Sequence, residues 1–425
     1  MVTTTSDDVL LLIFDDVAGP AHISWPKASY DDVRACAPYR LASVCRRWRD
    51  LALATSSLWT YFGFPPAPID HDRHLTRLQD LVSRSSRASI DVLFAYEIEA
   101  SDESGPPGSI QILDTLVGLV SRWRSARVCI PAMSMVQHLQ NDLAQEAPIL
   151  EQLFLIHHSS ILQIPRAPLL TRLCLDTYER GDLQCSTLLP SLRSLIMYSA
   201  DGALTELMCK TYSQQLVELS ISDDLWDKDF GPVDFPCLVS LNLDDASYLQ
   251  RLRAPNLHTL ALNAGQLESQ PPSSLSQFPD LGHLILYGNL ADKDLEALKH
   301  FGSISRLSFV VPDEINATIK TEQSSEFFGG FLGRFPSSTC PRLVRVTFSP
   351  DADGLSFDEL EDFVVSRTLD FDRAVQEAPG AQASLCRLES VEFNRDSAPD
   401  DFCDRLREYL LPFESPGLAG TARPV

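Results

Sequence analysis

Pro148-Ile149-Leu150-Glu151-Gln152-Leu153-Phe154-Leu155 returns one repeat later as Pro168-Leu169-Leu170-Thr171-Arg172-Leu173-Cys174-Leu175. Both stretches read L-x-x-L-x-L with a proline two places ahead. The last two leucines share one face of a strand, because strand side chains alternate between faces. The first leucine closes the turn that leads into that strand. One such unit cannot bury its apolar face alone, so units must stack and their strands must form a parallel ladder.

Outward from this pair the pattern continues. Its members are Leu192/Leu195/Met197, Leu216/Leu219/Ile221, Leu238/Leu241/Leu243, Leu257/Leu260/Leu262, Leu281/Leu284/Leu286, Ile304/Leu307/Phe309, Leu343/Val346/Phe348 and Leu388/Val391/Phe393. First members step by 20, 22, 24, 22, 19, 24 and 23 residues, the period of leucine-rich repeats, and then by 39 and 45 where longer insertions interrupt. The regular asparagine is missing, so the convex side is irregular, carrying helices or loops. Upstream, Ile90-Asp91-Val92 and Val128-Cys129-Ile130 read as strands, preceded by helix-like segments over 72–86 and 110–124. The expected fold is thus α/β: an irregular leucine-rich-repeat solenoid over 67–414, with a loop at Ser101–Gly108 and a disordered tail over 415–425.

The first sixty residues differ. Ser6 is placed to cap a short helix over Asp7–Val17, with Asp7 and Asp8 in its first turn. That helix is apolar on almost every side (Val9, Leu10, Leu11, Leu12, Ile13, Phe14), so it must be buried against its own domain or a partner. A second helix is expected from about Tyr39, with Leu41, Val44, Cys45, Trp48, Leu51 and Ala52 on one face. Leu58-Trp59 follows as an aromatic anchor.

These residues carry a resemblance. Val44-Cys45-Arg46-Arg47-Trp48, then Leu58-Trp59, preceded by a helix ending Ile13-Phe14, resemble a fungal-type F-box over residues 5–62. The family's opening Leu-Pro is replaced by Thr5-Ser6, and the connection Gly19–Pro38 is longer than usual. Arg122-Trp123-Arg124-Ser125 also resembles a junction common in fungal F-box proteins. The resemblance implies a substrate receptor of an SCF-type ubiquitin ligase, whose F-box docks a Skp-family adaptor and its cullin complex while the repeats hold a protein target. Val9, Leu10, Ile13, Phe14, Leu41, Val44, Cys45, Trp48, Leu58 and Trp59 are the implied adaptor-binding or F-box core residues. An interaction scaffold outside any ligase is the alternative.

Charge narrows the partners. With 58 acidic against 35 basic residues, the net charge of −23 disfavours nucleic acid and anionic membranes. Aspartates cluster just past the strand triplets: Asp176, Asp223, Asp224, Asp227, Asp229, Asp244 and Asp245. Of these, Asp223, Asp224, Asp244 and Asp245 are the candidate target-binding rim, which suits a basic segment. The ten cysteines are scattered singly, which reads as reduced, buried thiols in a cytoplasmic or nuclear protein. No signal peptide or membrane span is legible.

Nothing in the chain spells catalysis. G-x-S-x-G, the P-loop, H-E-x-x-H and G-x-G-x-x-G are all lacking. Gly329-Gly330-Phe331-Leu332-Gly333 reads as a turn, adjacent His157-His158 as residues on opposite strand faces, and Asp351-x-Asp353-Gly354 as a surface turn. The expectation is a binding protein with no catalytic residue, metal or cofactor.

Overall fold

The computed structural model describes residues 5–18, 32–64, 71–95, 109–130, 145–157, 164–177, 188–198, 202–222, 231–269, 276–287, 292–310, 335, 339–348, 356–377, 385–393, 398–399, 401–407 and 409–410. The expected loop at 101–108, the glycine-rich segment at 329–333, Asp351 to Gly354, His158 and the tail over 415–425 lie outside them. The fold is α/β, built on parallel strands. Two compact units divide the chain, Met1–Met208 with Leu225–Asp227 and Cys209–Asp224 with Lys228–Val425.

One local device opens most repeats. The residue before the proline is buried, and its carbonyl accepts from the first leucine of the triplet. The bonds run from Leu150 N to Ala147 O (3.2 Å), Leu170 to Ala167 (3.1 Å), Leu192 to Leu189 (3.2 Å) and Leu238 to Phe235 (3.3 Å). Leu257 to Ala254 (3.1 Å), Leu281 to Phe278 (3.3 Å) and Leu343 to Cys340 (2.9 Å) repeat them. Proline at the second turn position has its φ already set and no amide to leave unpaired. The buried residue ahead of it anchors the turn to the core.

In the first unit, α1 (Asp7–Ala18), α2 (Asp32–Val44) and α3 (Arg46–Ala54) lead through a 3-10 turn, Ser56–Trp59, into β1 (Tyr61–Phe64). Then come α4 (His71–Ser85), β2 (Ile90–Ala95), α5 (Ser109–Val117), a 3-10 turn at Val120–Arg122, and β3 (Trp123–Ile130). β4 (Gln152–His157), β5 (Arg172–Thr177) and β6 (Ser194–Tyr198) complete it. The strands pair in chain order. Their register stacks Phe62, Val92, Ala126, Leu153, Leu173 and Leu195 in one column and Phe64, Phe94, Val128, Leu155, Leu175 and Met197 in the next. All twelve are buried.

Two sequence expectations need correction here. The helix expected over 110–124 stops at Val117, because Trp123 and Arg124 belong to β3. The ladder also begins at β1, within the stretch expected to be purely helical. The cause is the same in both places. Trp59 and Trp123 are fully buried, and each indole donates back to a carbonyl of the preceding helix, Trp59 Nε1 to Ala52 O at 2.7 Å and Trp123 Nε1 to Leu116 O at 3.1 Å. Each tryptophan thereby ties the chain entering a strand back to the helix before it.

In the second unit the helix Gly202–Tyr212, which straddles the division, precedes β7 (Glu218–Ser222). The further strands are β8 (Val233–Asp234), β9 (Ser240–Leu243), β10 (Leu252–Arg253), β11 (Thr259–Asn263), β12 (His283–Tyr287), β13 (Arg306–Val310), β14 (Arg345–Phe348) and β15 (Ser390–Glu392). Among the described residues β8 and β10 pair only with each other. The rest form a parallel ladder in the order β7-β9-β11-β12-β13-β14-β15. Leu219, Leu241, Leu260, Leu284, Leu307, Val346 and Val391 make its first column. Each of the ten triplets thus leads into a strand that holds its second member, and its third also in all but the last, where Phe393 follows β15.

The long step before the last triplet holds the helix Phe357–Glu377. Its Arg367 is 1% exposed and reaches the carbonyls of Thr339, Cys340, Pro341 and Leu343 at 2.8–3.3 Å. Cys340 adopts φ 50°, a left-handed conformation that costs a non-glycine residue energy, and Arg367 binds the carbonyls around it.

Candidate functional site

The N-terminal helices divide their apolar residues between core and surface. In α1, Leu10 and Phe14 are buried, while Val9, Leu12, Ile13 and Val17 are 45%, 69%, 41% and 44% exposed. Those four lie at i, i+3, i+4 and i+8, one stripe along the helix. Ser6 Oγ accepts from Val9 N at 3.4 Å, the cap expected from the sequence. Arg47 fastens the start of α1, donating from Nε to Asp7 at 3.0 Å and from Nη2 to the Thr5 carbonyl at 2.6 Å. Leu12, Val17 and the exposed Val33 were not among the residues assigned to adaptor binding or the F-box core from the sequence. The i, i+3, i+4, i+8 spacing of the stripe was its available signal.

The second expected helix is really two. α2 starts at Asp32 and runs through Pro38, and Cys45 breaks the chain before α3. Cys45 is extended (φ −159°) and caps α3, its sulfur accepting from Trp48 N at 3.5 Å. This is the physical content of the Cys-x-x-Trp spacing: N-cap and third helical residue. Because of the break, Val44 (59% exposed) and Cys45 are exposed rather than on a common core face. Leu41, Leu58 and Trp59 are buried. Half-buried Trp48 packs edge-on against Phe14, centroids 5.0 Å apart, and Tyr39 packs likewise on Trp59 at 5.1 Å. Burial pushes the Tyr39 hydroxyl pKa up.

A buried carboxylate joins these helices to the strands. Asp91 on β2 is 0% exposed and accepts from Arg34 Nη2 of α2 (2.6 Å), Arg124 Nε and Nη2 (3.1 and 2.6 Å) and Ser125 Oγ (2.8 Å). The bond to Asp91 is the main reason the Arg124 pKa is raised. Arg122 meanwhile donates to the Ala88 carbonyl (3.0 Å) and Ser85 Oγ (2.7 Å). The Arg122-Trp123-Arg124-Ser125 run is thus a set of four fasteners.

The acidic rim is resolved differently from the expectation. Asp176 is not on a rim but buried within β5, its charge felt by Arg127 and Cys174. Asp244 accepts from Tyr287 Oη at 2.5 Å and from Ser222 Oγ. Asp245 caps the 3-10 turn Ala246–Arg251, accepting from Ser247 N at 2.7 Å. Asp223, Asp224, Asp227 and Asp229 lie outside the described residues.

The face of each ladder opposite its core carries the other notable chemistry. In the first unit Arg127 stacks over Phe154 at 4.4 Å beside buried Cys174, and burial lowers the arginine's pKa. In the second unit that face mixes Ala261, Ile285 and Tyr287 with a polar network: Asn242 Nδ2 donates to Ser220 Oγ (2.9 Å), His283 Nε2 contacts Ser308 Oγ (2.8 Å), and Thr347 Oγ1 donates to Glu392 (3.0 Å). Burial first, then Arg306 and His258, lowers the His283 pKa to about 4. An open cleft of about 600 Å³ beside β8 and β10, lined by Gln214, Asp234, Arg253 and Gln277 among others, brings no catalytic constellation together.

Nine described cysteines are free thiols, Cys185 lying outside the described residues. Burial pushes the Cys174 and Cys209 thiols up strongly and Cys340 to about 12. Cys45 and Cys237, by contrast, are exposed, which corrects the reading of every thiol as buried. Among the described residues no helix is long and apolar enough to cross a membrane. Compared with models of known families and with curated proteins, the chain matches none.

Proposed function

We propose that this chain is the target-binding subunit of an SCF-type ubiquitin ligase, its N-terminal F-box-like helices docking a Skp-family adaptor and its strand ladders holding a protein target. The observation that carries the reading is the exposed stripe Val9, Leu12, Ile13 and Val17 on a helix that already buries Leu10 and Phe14. An uncovered apolar stripe of this kind costs solubility unless a partner covers it. A receptor of this class needs no catalytic side chains of its own. The scaffold reading draws on Thr5-Ser6, which stand where the family carries Leu-Pro, with Arg47 bound to the Thr5 carbonyl and to neighbouring Asp7.

Co-expression with a Skp-family adaptor and affinity capture tests the proposal. The wild type is expected to retain adaptor and, through it, cullin. Leu12→Asp with Ile13→Asp is expected to cut capture by about tenfold or more with the helical circular dichroism unchanged, since central apolar contacts dominate such interfaces. Wild-type protein that captures no adaptor, or a double variant that captures it equally, would sink the ligase reading.

A further inference from the structure

In the second ladder, one row of residues on the face away from the core reads Thr259, His283, Arg306, Arg345, Ser390 across β11 to β15. Every one of these side chains can donate a hydrogen bond. The two arginines occupy neighbouring strands, roughly 4.8 Å apart, so both guanidinium groups can reach a single anionic group. This pairing of like charges stands out in a chain with 58 acidic and 35 basic residues.

What balances the pair inside the protein is slight. Arg306 meets Glu392 at 3.8 Å, an ion-pair distance too long for a hydrogen bond, and its Nε finds no acceptor among the described residues. Arg345 Nε donates to Ser390 Oγ at 3.0 Å. Glu392 is itself held by Thr347 Oγ1. Adjacent like charges repel unless an anion lies between them. Arg306 and Glu392 are 39% and 32% exposed at the side chain, so the row is open to a partner.

We infer that the Arg306–Arg345 row is a docking site for an anionic segment of the target protein, acidic or phosphorylated, rather than for a basic one. The inference rests on the target-receptor reading and names the chemistry that the second ladder recognises. Arg306 and Arg345 supply bidentate charge-assisted bonds, and His283, Thr259 and Ser390 flank them with neutral donors. Glu392 competes for the same guanidinium and sets the affinity.

Fluorescence anisotropy on the full chain without adaptor tests this, using labelled octa-aspartate, the same-length peptide with alternating phosphoserine and glycine, and octa-lysine. Both acidic peptides are expected to bind saturably at low salt and weaken as salt screens the field. Arg306→Gln with Arg345→Gln is expected to weaken them by about tenfold or more. Glu392→Gln is expected to tighten them severalfold, a gain that misfolding cannot mimic. A clear preference for the phosphoserine peptide assigns a phosphorylated target, and parity assigns a plain acidic one. Absence of acidic-peptide binding, equal binding by the arginine variant, no gain from Glu392→Gln, or tighter binding of octa-lysine overturns the inference. Adaptor capture is a separate measurement, so either reading can fail alone.

Discussion

The two strand ladders follow one rule on their core faces and differ on the other. Leu153, Leu173 and Leu195 in the first unit, and Leu241, Leu260 and Leu284 in the second, occupy the same kind of buried column. Behind the first column stand Phe154, Cys174 and Asp176, all nearly inaccessible, with Arg127 desolvated over the aromatic ring. Behind the second stand half-exposed Asn242, His283, Arg306 and Glu392, interspersed with buried Ala261, Tyr287 and Ser308. A repeat motif constrains only the residues it must bury. The alternate positions are free to become a second core or a partner surface.

The largest expected difference concerns that second core. Phe154→Ala should destabilise the first unit by about 3–5 kcal/mol, the usual cost of truncating a buried aromatic. Asn242→Ala, at the comparable alternate position of the second unit, should cost about 1 kcal/mol or less. It removes one hydrogen bond and also a buried Oδ1 that has no donor. Urea denaturation of the two variants compares them directly, and equal midpoints would erase the contrast.

A smaller effect distinguishes the ladders by pH. His283 has a folded pKa of about 4 against an ordinary 6.5, so the unfolded chain takes up its proton first. Its contribution is present above about pH 6.5 and is lost as pH falls toward 4. Because the imidazole is part-exposed, solvent screens the effect and only a modest loss is expected. His283→Gln should flatten this part of the stability–pH curve. An identical curve for wild type and variant would show that the ring is not desolvated.

The smallest effect is chemical. Native thiol labelling should modify Cys45 and Cys237 promptly, leaving Cys174, Cys209 and Cys340 unreacted until the protein unfolds. Prompt labelling of Cys174 would mean that the alternate face of the first ladder is open after all.

Much of this was legible in the residues. Ten apolar triplets marked ten strands, because each strand must present two apolar side chains at period two to a shared core, and that demand is local. Ser6 as a cap and Asp7 to Val17 as a helix were legible for the same reason. The sequence could not show where a continuous helical pattern breaks. Leu41 to Ala52 keeps helical spacing, yet Cys45 turns extended and caps α3, which moves Val44 to the surface. Nor could it show that Trp59 and Trp123 each donate to a carbonyl seven residues back and so tie a strand entry to the helix before it, since that bond exists only after the chain has folded onto itself.

What the sequence by itself determined is the repeat: the period, the buried columns and the proline turns, all of which follow from short-range spacing. The tertiary structure alone decided which charges meet. Asp91 collects Arg34 and Arg124 from distant segments, and strand register sets Arg306 beside Arg345 although 39 residues separate them. Electrostatic neighbours in a ladder are chosen by register, and register depends on the whole stack of buried side chains.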